Sequence, residues 1–171
     1  MSLIRLGFNL RRVVITGLGT VNPLGASFDE SWQNILRSQS GAGRIMSFDV
    51  SDLPSQVACH VPDSFNADDW VEPKDQKRSD TFIIYGIAAA TMALQDSGFE
   101  AETDEQQYRS GVYIGSGIGG LASIEETALL LNEKGPRRVS PFFIPGSISN
   151  LASGQVSIRN NLKLSLIHIS E

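Results

Sequence analysis

One stretch limits the folds open to this chain more than any other: "SDTFIIYGIAAATMALQDSG", residues 79 to 98. Its pattern is that of a long helix, with Ser79 or Asp80 placed to cap the start and Gly98 placed to end it. Apolar residues cover most of the circumference, and Ala88 to Ala90 carry so little bulk that a neighbour can approach closely. A helix that is apolar all round must be covered all round. A chain of 171 residues is long enough to build one hydrophobic core for it.

The segments on either side supply the cover. "RRVVITGLG" holds Val13, Val14 and Ile15 in an unbroken β-branched run ended by glycines, and "SGVYIGSGIGG" repeats the strand-then-glycine pattern. Continuous apolar runs suit strands buried on both faces, as in parallel sheets. Between and after them lie helical patterns. "SFDESWQNILRSQSG" has Ser27 and Glu30 in capping-box spacing, Trp32, Ile35 and Leu36 on one face, and Gly41 as its stop. "LASIEETALLLNEKG" reads as a helix, and "SISNLASGQVSIRNNL" as a final helix carrying Ile148, Leu151, Val156 and Ile158. Residues 41 to 73 read as an irregular excursion, and "PRRVSPFFIPGS" as extended and broken by prolines. Strands alternating with helices predict an α/β fold with a mainly parallel sheet. Two clear strands are few for a closed sheet.

Composition bounds the function. A hydrophobic share of 41% and a charged share of 19% place the chain among globular proteins. A net charge of −5 argues against a nucleic-acid binder or an anionic-membrane binder. The single cysteine, Cys59, forms no internal disulfide and suits a reducing compartment, so a cytoplasmic location is expected. No apolar run approaches membrane-spanning length, and the basic start "MSLIRLGFNLRR" is too short in apolar residues for a secretory signal.

Candidate chemistry is sparse. Gly115, Gly117 and Gly120 have G-x-G-x-x-G spacing between a strand and a helix, which in dinucleotide-binding folds admits a pyrophosphate. The following segment offers no acidic residue for a ribose, so a tight strand-to-helix turn is the preferred reading. "GLGTVNPLG" fails the spacing, because Asn22 stands at the third glycine position. Cys59 and His60 are neighbours that point to opposite faces of a strand, and one cysteine with two distant histidines makes no metal site. Two short basic clusters, Lys74, Lys77 and Arg78, then Arg137 and Arg138, are either solvated faces or a dock for an acidic partner. Phe142 and Phe143 are core or interface residues, or line an apolar pocket.

Taken together, "RRVVITGLGTVNPLG", "SWQNILRSQSG", "DTFIIYGIAAATMALQDSG", "YIGSGIGGL" and "GPRRVSPFFIPGSISNLASG" resemble the N-terminal part of a β-ketoacyl-[acyl-carrier-protein] synthase of the type II, dissociated system. The resemblance runs from Arg11 to about Lys163 with order and spacing kept. It implies a thiolase-like layered αβαβα fold, a homodimer and no cofactor. It also implies decarboxylative condensation of an acyl chain with malonyl-carrier protein in fatty acid biosynthesis. By the same resemblance Ile118 and Phe143 belong to the acyl pocket. Lys74, Lys77, Arg78, Arg137 and Arg138 then face the acyl carrier protein.

The sequence also departs from that pattern. The family's nucleophilic cysteine and two histidines have no counterpart here, so no catalytic residue is assigned, and the chain alone is expected to be inactive. Residues 1–10 read as an N-terminal extension and 11–163 as a partial ketoacyl-synthase domain. Residues 164–171, which include His168, read as a tail foreign to the family that resembles translated adapter sequence. Such a fragment keeps an open sheet edge and bare helix faces, and predicts poor solubility or a need for a partner. The alternatives are a non-catalytic fragment for carrier-protein docking or dimerisation, and a dinucleotide-binding domain.

Overall fold

The expected central helix forms as α3, Thr81–Ser97, in a computed structural model that describes residues 12–164. The expected N-terminal extension, Arg11 and the tail from 165, with His168, lie outside the described residues. Gly98 ends the helix in the left-handed region at φ 62°, where glycine carries no steric penalty. Ile83, Ile84, Ile87 and Ala88 are buried on α3, and Ile83 is fully shielded from solvent. The three isoleucines meet Val71, Ala152 and Val156 in one cluster. Burying each of the larger of these side chains contributes about 1.5–3 kcal/mol.

Other elements order themselves around α3. They are α1 (Phe28–Leu36), β1 (Ala42–Arg44), β2 (Val57–Cys59), α2 (Pro73–Gln76), α4 (Asp104–Arg109), α5 (Leu121–Lys134), α6 (Phe143–Ser147) and α7 (Leu151–Arg159). Short 3-10 turns span Ala67–Asp69 and Pro136–Arg138. Helix α7 is the main neighbour of α3, and Gly86 faces the Ala152 methyl. The buried residues of α7 are Ala152, Ser153 and Val156. Ile148 falls before this helix, and Ile158, expected on the inner face, is 72% exposed.

The small residues of α3 receive residues 17–19 from the other side. Cβ atoms on Gly17 and Gly19 would collide with the carbonyl oxygens of Ala93 and Ala89. The Leu18 amide donates to Asp96 Oδ2 at 2.8 Å, which closes the same contact.

The mainly parallel sheet expected from the sequence is not formed among the described residues. Their one ladder pairs β1 with β2 antiparallel, Ala42 opposite Cys59, within the stretch read as irregular. The only parallel pairing is a single bridge, Gly111 to Leu164. The reason lies in partners. Val13 and Ile15 are 91% and 82% exposed, and their extended backbone meets no neighbouring strand. Ile114 is half-buried, yet its backbone is met by a side chain: the Ser153 hydroxyl lies 3.1 Å from its amide and 3.3 Å from its carbonyl. A helix hydroxyl thus takes the place of a ladder bond.

Local signals fare better, with shifts. Ser27 caps α1 by accepting from the Glu30 amide at 3.3 Å, but Glu30 reaches the amide of Ala26 rather than that of Ser27. The helix stops at Leu36 and turns through Ser38 at φ 54°, while Gly41 instead packs on Pro23. The segment expected to be extended before α7 is helical at 143–147. Pro145 fits there because it occupies the first turn, where its missing N–H has no intrahelical partner.

Two outcomes are expected. Gly19→Ala forces a methyl into helix backbone that has no flexible end to move, and costs about 1–3 kcal/mol in a urea titration. Gly43→Ala, with open space around it, is the silent control. Tyr85 stacks edge-on to Phe65 at 5.2 Å, and its burial raises the phenol pKa above the ordinary value. The folded chain therefore holds that proton more tightly than the unfolded chain. The resulting stability is present below about pH 10 and is lost as pH rises through the folded value. Tyr85→Phe should flatten the alkaline fall in melting temperature.

Candidate functional site

The chain entering α3 passes through a short proline-led turn. Pro73 starts α2, where its missing N–H is unneeded, and the turn presents Lys74, Lys77 and Arg78 to solvent. Directly after them Asp80 takes the N-cap position of α3 in extended backbone, yet its carboxylate does not cap that helix. Asp80 Oδ2 accepts instead from the Ser123 amide at 3.1 Å and the Ser123 hydroxyl at 2.6 Å, in the first turn of α5. An acceptor aimed at a helix start satisfies one of its free amides and favours the positive end of the helix dipole.

Two glycines make this junction possible. A Cβ on Gly120 would stand 2.8 Å from Asp80 Oδ2, and one on Gly146 would strike the Arg78 carbonyl. Backbone bonds close the arrangement: Asp80 N–H to the Gly146 carbonyl at 3.0 Å, and Gly120 N–H to the Ser147 carbonyl at 2.8 Å. The G-x-G-x-x-G turn is therefore a packing device. Gly115 and Gly117 face open space, and the α5 terminus that would hold a pyrophosphate already holds a carboxylate. That arrangement speaks against the dinucleotide reading.

Beside the junction lies a cleft of about 170 Å³, lined by Lys77, Arg78, Ser123, Glu126, Phe142 and Phe143 among others. The Arg78 guanidinium stands 4.2 Å over the Phe142 ring, so its charge is held in place without being neutralised. Arg137 and Arg138 occupy the 3-10 turn that leads from α5 towards Ser140 and Phe142, and both are exposed. Among the described residues the ion pairs engage Arg109, Arg159 and Lys163, and none of the five candidate cations. Lys77 and Arg78 line the cleft, and Lys74, Arg137 and Arg138 stand exposed on the turns that lead to and from it. Exposed cations without an ion-pair partner suit an anionic partner.

The acyl-pocket pair is placed less closely. Phe143 is half-buried in the cleft, while Ile118 is 70% exposed on the loop before α5 and does not line the cleft. The Gly120–Ser147 bond ties the segments that carry them. Cys59 is exposed at the end of β2, and His60 borders a separate surface hollow of about 650 Å³ near Arg44 and Asp63. Among the described residues no cluster of three metal-ligating side chains forms, and no helix is long and apolar enough to cross a membrane. Reading the sequence did not find the Asp80–Ser123 junction, nor Phe142 as the seat of Arg78. The only signal was an aspartate just after two cations.

Comparison with known proteins agrees with the resemblance. The profile described as "Beta-ketoacyl synthase, N-terminal domain" matches residues 10–168. A 3-oxoacyl-[acyl-carrier-protein] synthase 2 of Rhizobium meliloti (strain 1021) is 52% identical over 160 residues, which cover 90% of this chain and 38% of that protein. A solved β-ketoacyl synthase from Burkholderia phymatum superposes with a TM-score of 0.73 at 26% identity, over 91% of this chain and 38% of the other. A type II PKS acyl-carrier protein in complex with its ketosynthase superposes at 0.68 and 22% identity, over 87% and 40%, and shows the fold alone. The fold is thus the thiolase-like α/β fold of the ketosynthases, and the chain spans about 38% of the length of the curated relatives it matches.

Replacing Phe142 by Leu removes the ring under Arg78. A loss of about 0.5–1 kcal/mol is expected in a urea titration, and Arg78→Ala should make the loss from Phe142→Leu vanish.

Proposed function

The chain belongs to the β-ketoacyl synthase N-terminal domain family, and from that premise we propose that it provides the carrier-docking face and one wall of the acyl pocket of a 3-oxoacyl-[acyl-carrier-protein] synthase. Such an acyltransferase lengthens an acyl chain by two carbons, using the carbanion left when malonyl-carrier protein loses carbon dioxide. The observation that carries the reading is that Lys77 and Arg78 line a cleft that also holds Phe143, with Lys74, Arg137 and Arg138 exposed on the adjoining turns and none of the five in an ion pair among the described residues. It is supported by 52% identity to a 3-oxoacyl-[acyl-carrier-protein] synthase 2.

Each part has a physical role. Exposed cations on short, anchored turns draw an acidic carrier protein in and orient it, chiefly through the rate of encounter. Arg78, seated on Phe142, offers a directed donor fork rather than a free point charge. Phe143 and Ile118 supply the apolar surface that an acyl chain needs. The nucleophile is not Cys59, which is exposed on β2 far from the cleft's residues. Thiolate and imidazole chemistry belongs to residues that this chain does not match. The same reading carries a homodimer in the cytoplasm and needs no cofactor.

A second reading, docking or dimerisation without chemistry, is favoured by the exposed apolar side chains of α1 and α5, Trp32, Ile35, Leu121 and Leu129 among them. A chimera separates the two. Residues 12–163 replace the matching segment of the Rhizobium meliloti synthase, and condensation is followed with malonyl-carrier protein. The expected result is turnover. Converting Arg137 and Arg138 to Ala should raise KM for the carrier on the order of tenfold with kcat little changed, an effect that shrinks at high salt. A folded, dimeric chimera that binds carrier protein but makes no product leaves only the docking reading.

A further inference from the structure

We propose that Asp80 is a positioning residue through which a partner seated on Lys77 and Arg78 steadies the loop that bears Ile118. The inference rests on the carrier-docking reading above. It starts from an oddity of the site: Asp80 stands at the N-cap of one helix and spends its carboxylate on another. By accepting from both the amide and the hydroxyl of Ser123, it binds the start of α5 to the residue that follows the cationic turn by two positions.

Three chain segments meet there, backbone close to backbone. Asp80 N–H donates to Gly146, Gly120 N–H donates to Ser147, and a Cβ on Gly119 would lie 2.5 Å from the Ser147 carbonyl. Gly119 also sits at φ 79°, which fixes a backbone turn that side chains other than hydrogen rarely adopt. Backbone packed on backbone yields little, so motion of Arg78 is carried to Asp80 and from there to Ser123 and Gly120. Ile118 lies just before this anchored pair, with Gly115 and Gly117 facing open space and the Ser116 hydroxyl between them accepting from the Gly119 amide at 3.2 Å. The loop is held at Gly120 by Ser147, and Asp80 braces the helix start that follows through Ser123.

Docking at the cations and order in the loop are then one linked equilibrium. The Phe142 ring strengthens the link, because it fixes Arg78 against the segment that leads into α6. Asp80 touches no reacting atom in this scheme. Its effect is read in how the loop responds to a bound carrier.

The test uses the full 171-residue chain with acyl-loaded acyl carrier protein, binding by fluorescence anisotropy and amide exchange by mass spectrometry and NMR. In the unaltered chain the carrier should slow exchange of the Gly120 and Ser123 amides by about threefold or more. Asp80→Ala should bind the carrier within about twofold, since the docking cations are intact, and show none of that slowing. Asp80→Asn, which keeps an acceptor, should restore part of it. Ser123→Ala removes only the hydroxyl bond and should lose part of the slowing, so it serves even where Asp80→Ala does not fold. A loss of packing alone would speed exchange without carrier and leave the carrier-dependent increment unchanged. Carrier binding with no slowing in the unaltered chain, or equal slowing in all variants, overturns the inference and leaves the docking reading standing. No carrier binding at low salt overturns the docking reading, and the inference with it.

Discussion

Residues 17–19 lie directly against the carbonyl face of α3, where two glycines leave no room for a side chain. Much else depends on this contact. A helix as apolar as α3 is stable only when covered, and covering it by direct backbone approach demands alanines on the helix and glycines on the loop. The bond from Leu18 to Asp96 then sets the position along the helix. Helix α7 packs on α3 through side chains, among them Ala152 and Val156. The N-terminal end of α3 is tied to the segments that open α5 and α6. That end carries the cationic turn and Asp80.

Charge at the site is handled by geometry more than by neutralisation. Asp80 is spent on the α5 terminus, Arg78 is laid on an aromatic ring, and Glu126 is the carboxylate on the cleft wall. Among the described residues none of the site's cations forms an ion pair, so they keep their field. A buried pair would have fixed the side chains and cancelled their reach.

Large apolar side chains remain bare on α1, on α5 and along residues 13–15. An exposed apolar surface of this extent marks an interface or a fold whose cover lies elsewhere. The family's relatives have more than twice this chain's matched length, and a layered fold buries each sheet face and helix face against another layer. The same absence of neighbours explains the missing parallel sheet. A strand is defined by bonds to the next strand, and residues 13–15 find none.

The sequence by itself determined the central helix, its Gly98 stop, the serine cap of α1, the span of α5 and the family. Each of these follows from short-range periodicity, capping chemistry or blocks of residues in order. Of the two residues expected to form an acyl pocket, the structure brings Phe143 but not Ile118 into the cleft. Tertiary structure alone decided the rest. Asp80 reads as a cap for α3, and only the arrival of α5 gives its carboxylate a better donor pair. Residues 13–15 read as a strand, and only a neighbour could have made them one. Hydrogen bonds between distant segments depend on which surfaces meet, and a local pattern carries no record of that meeting.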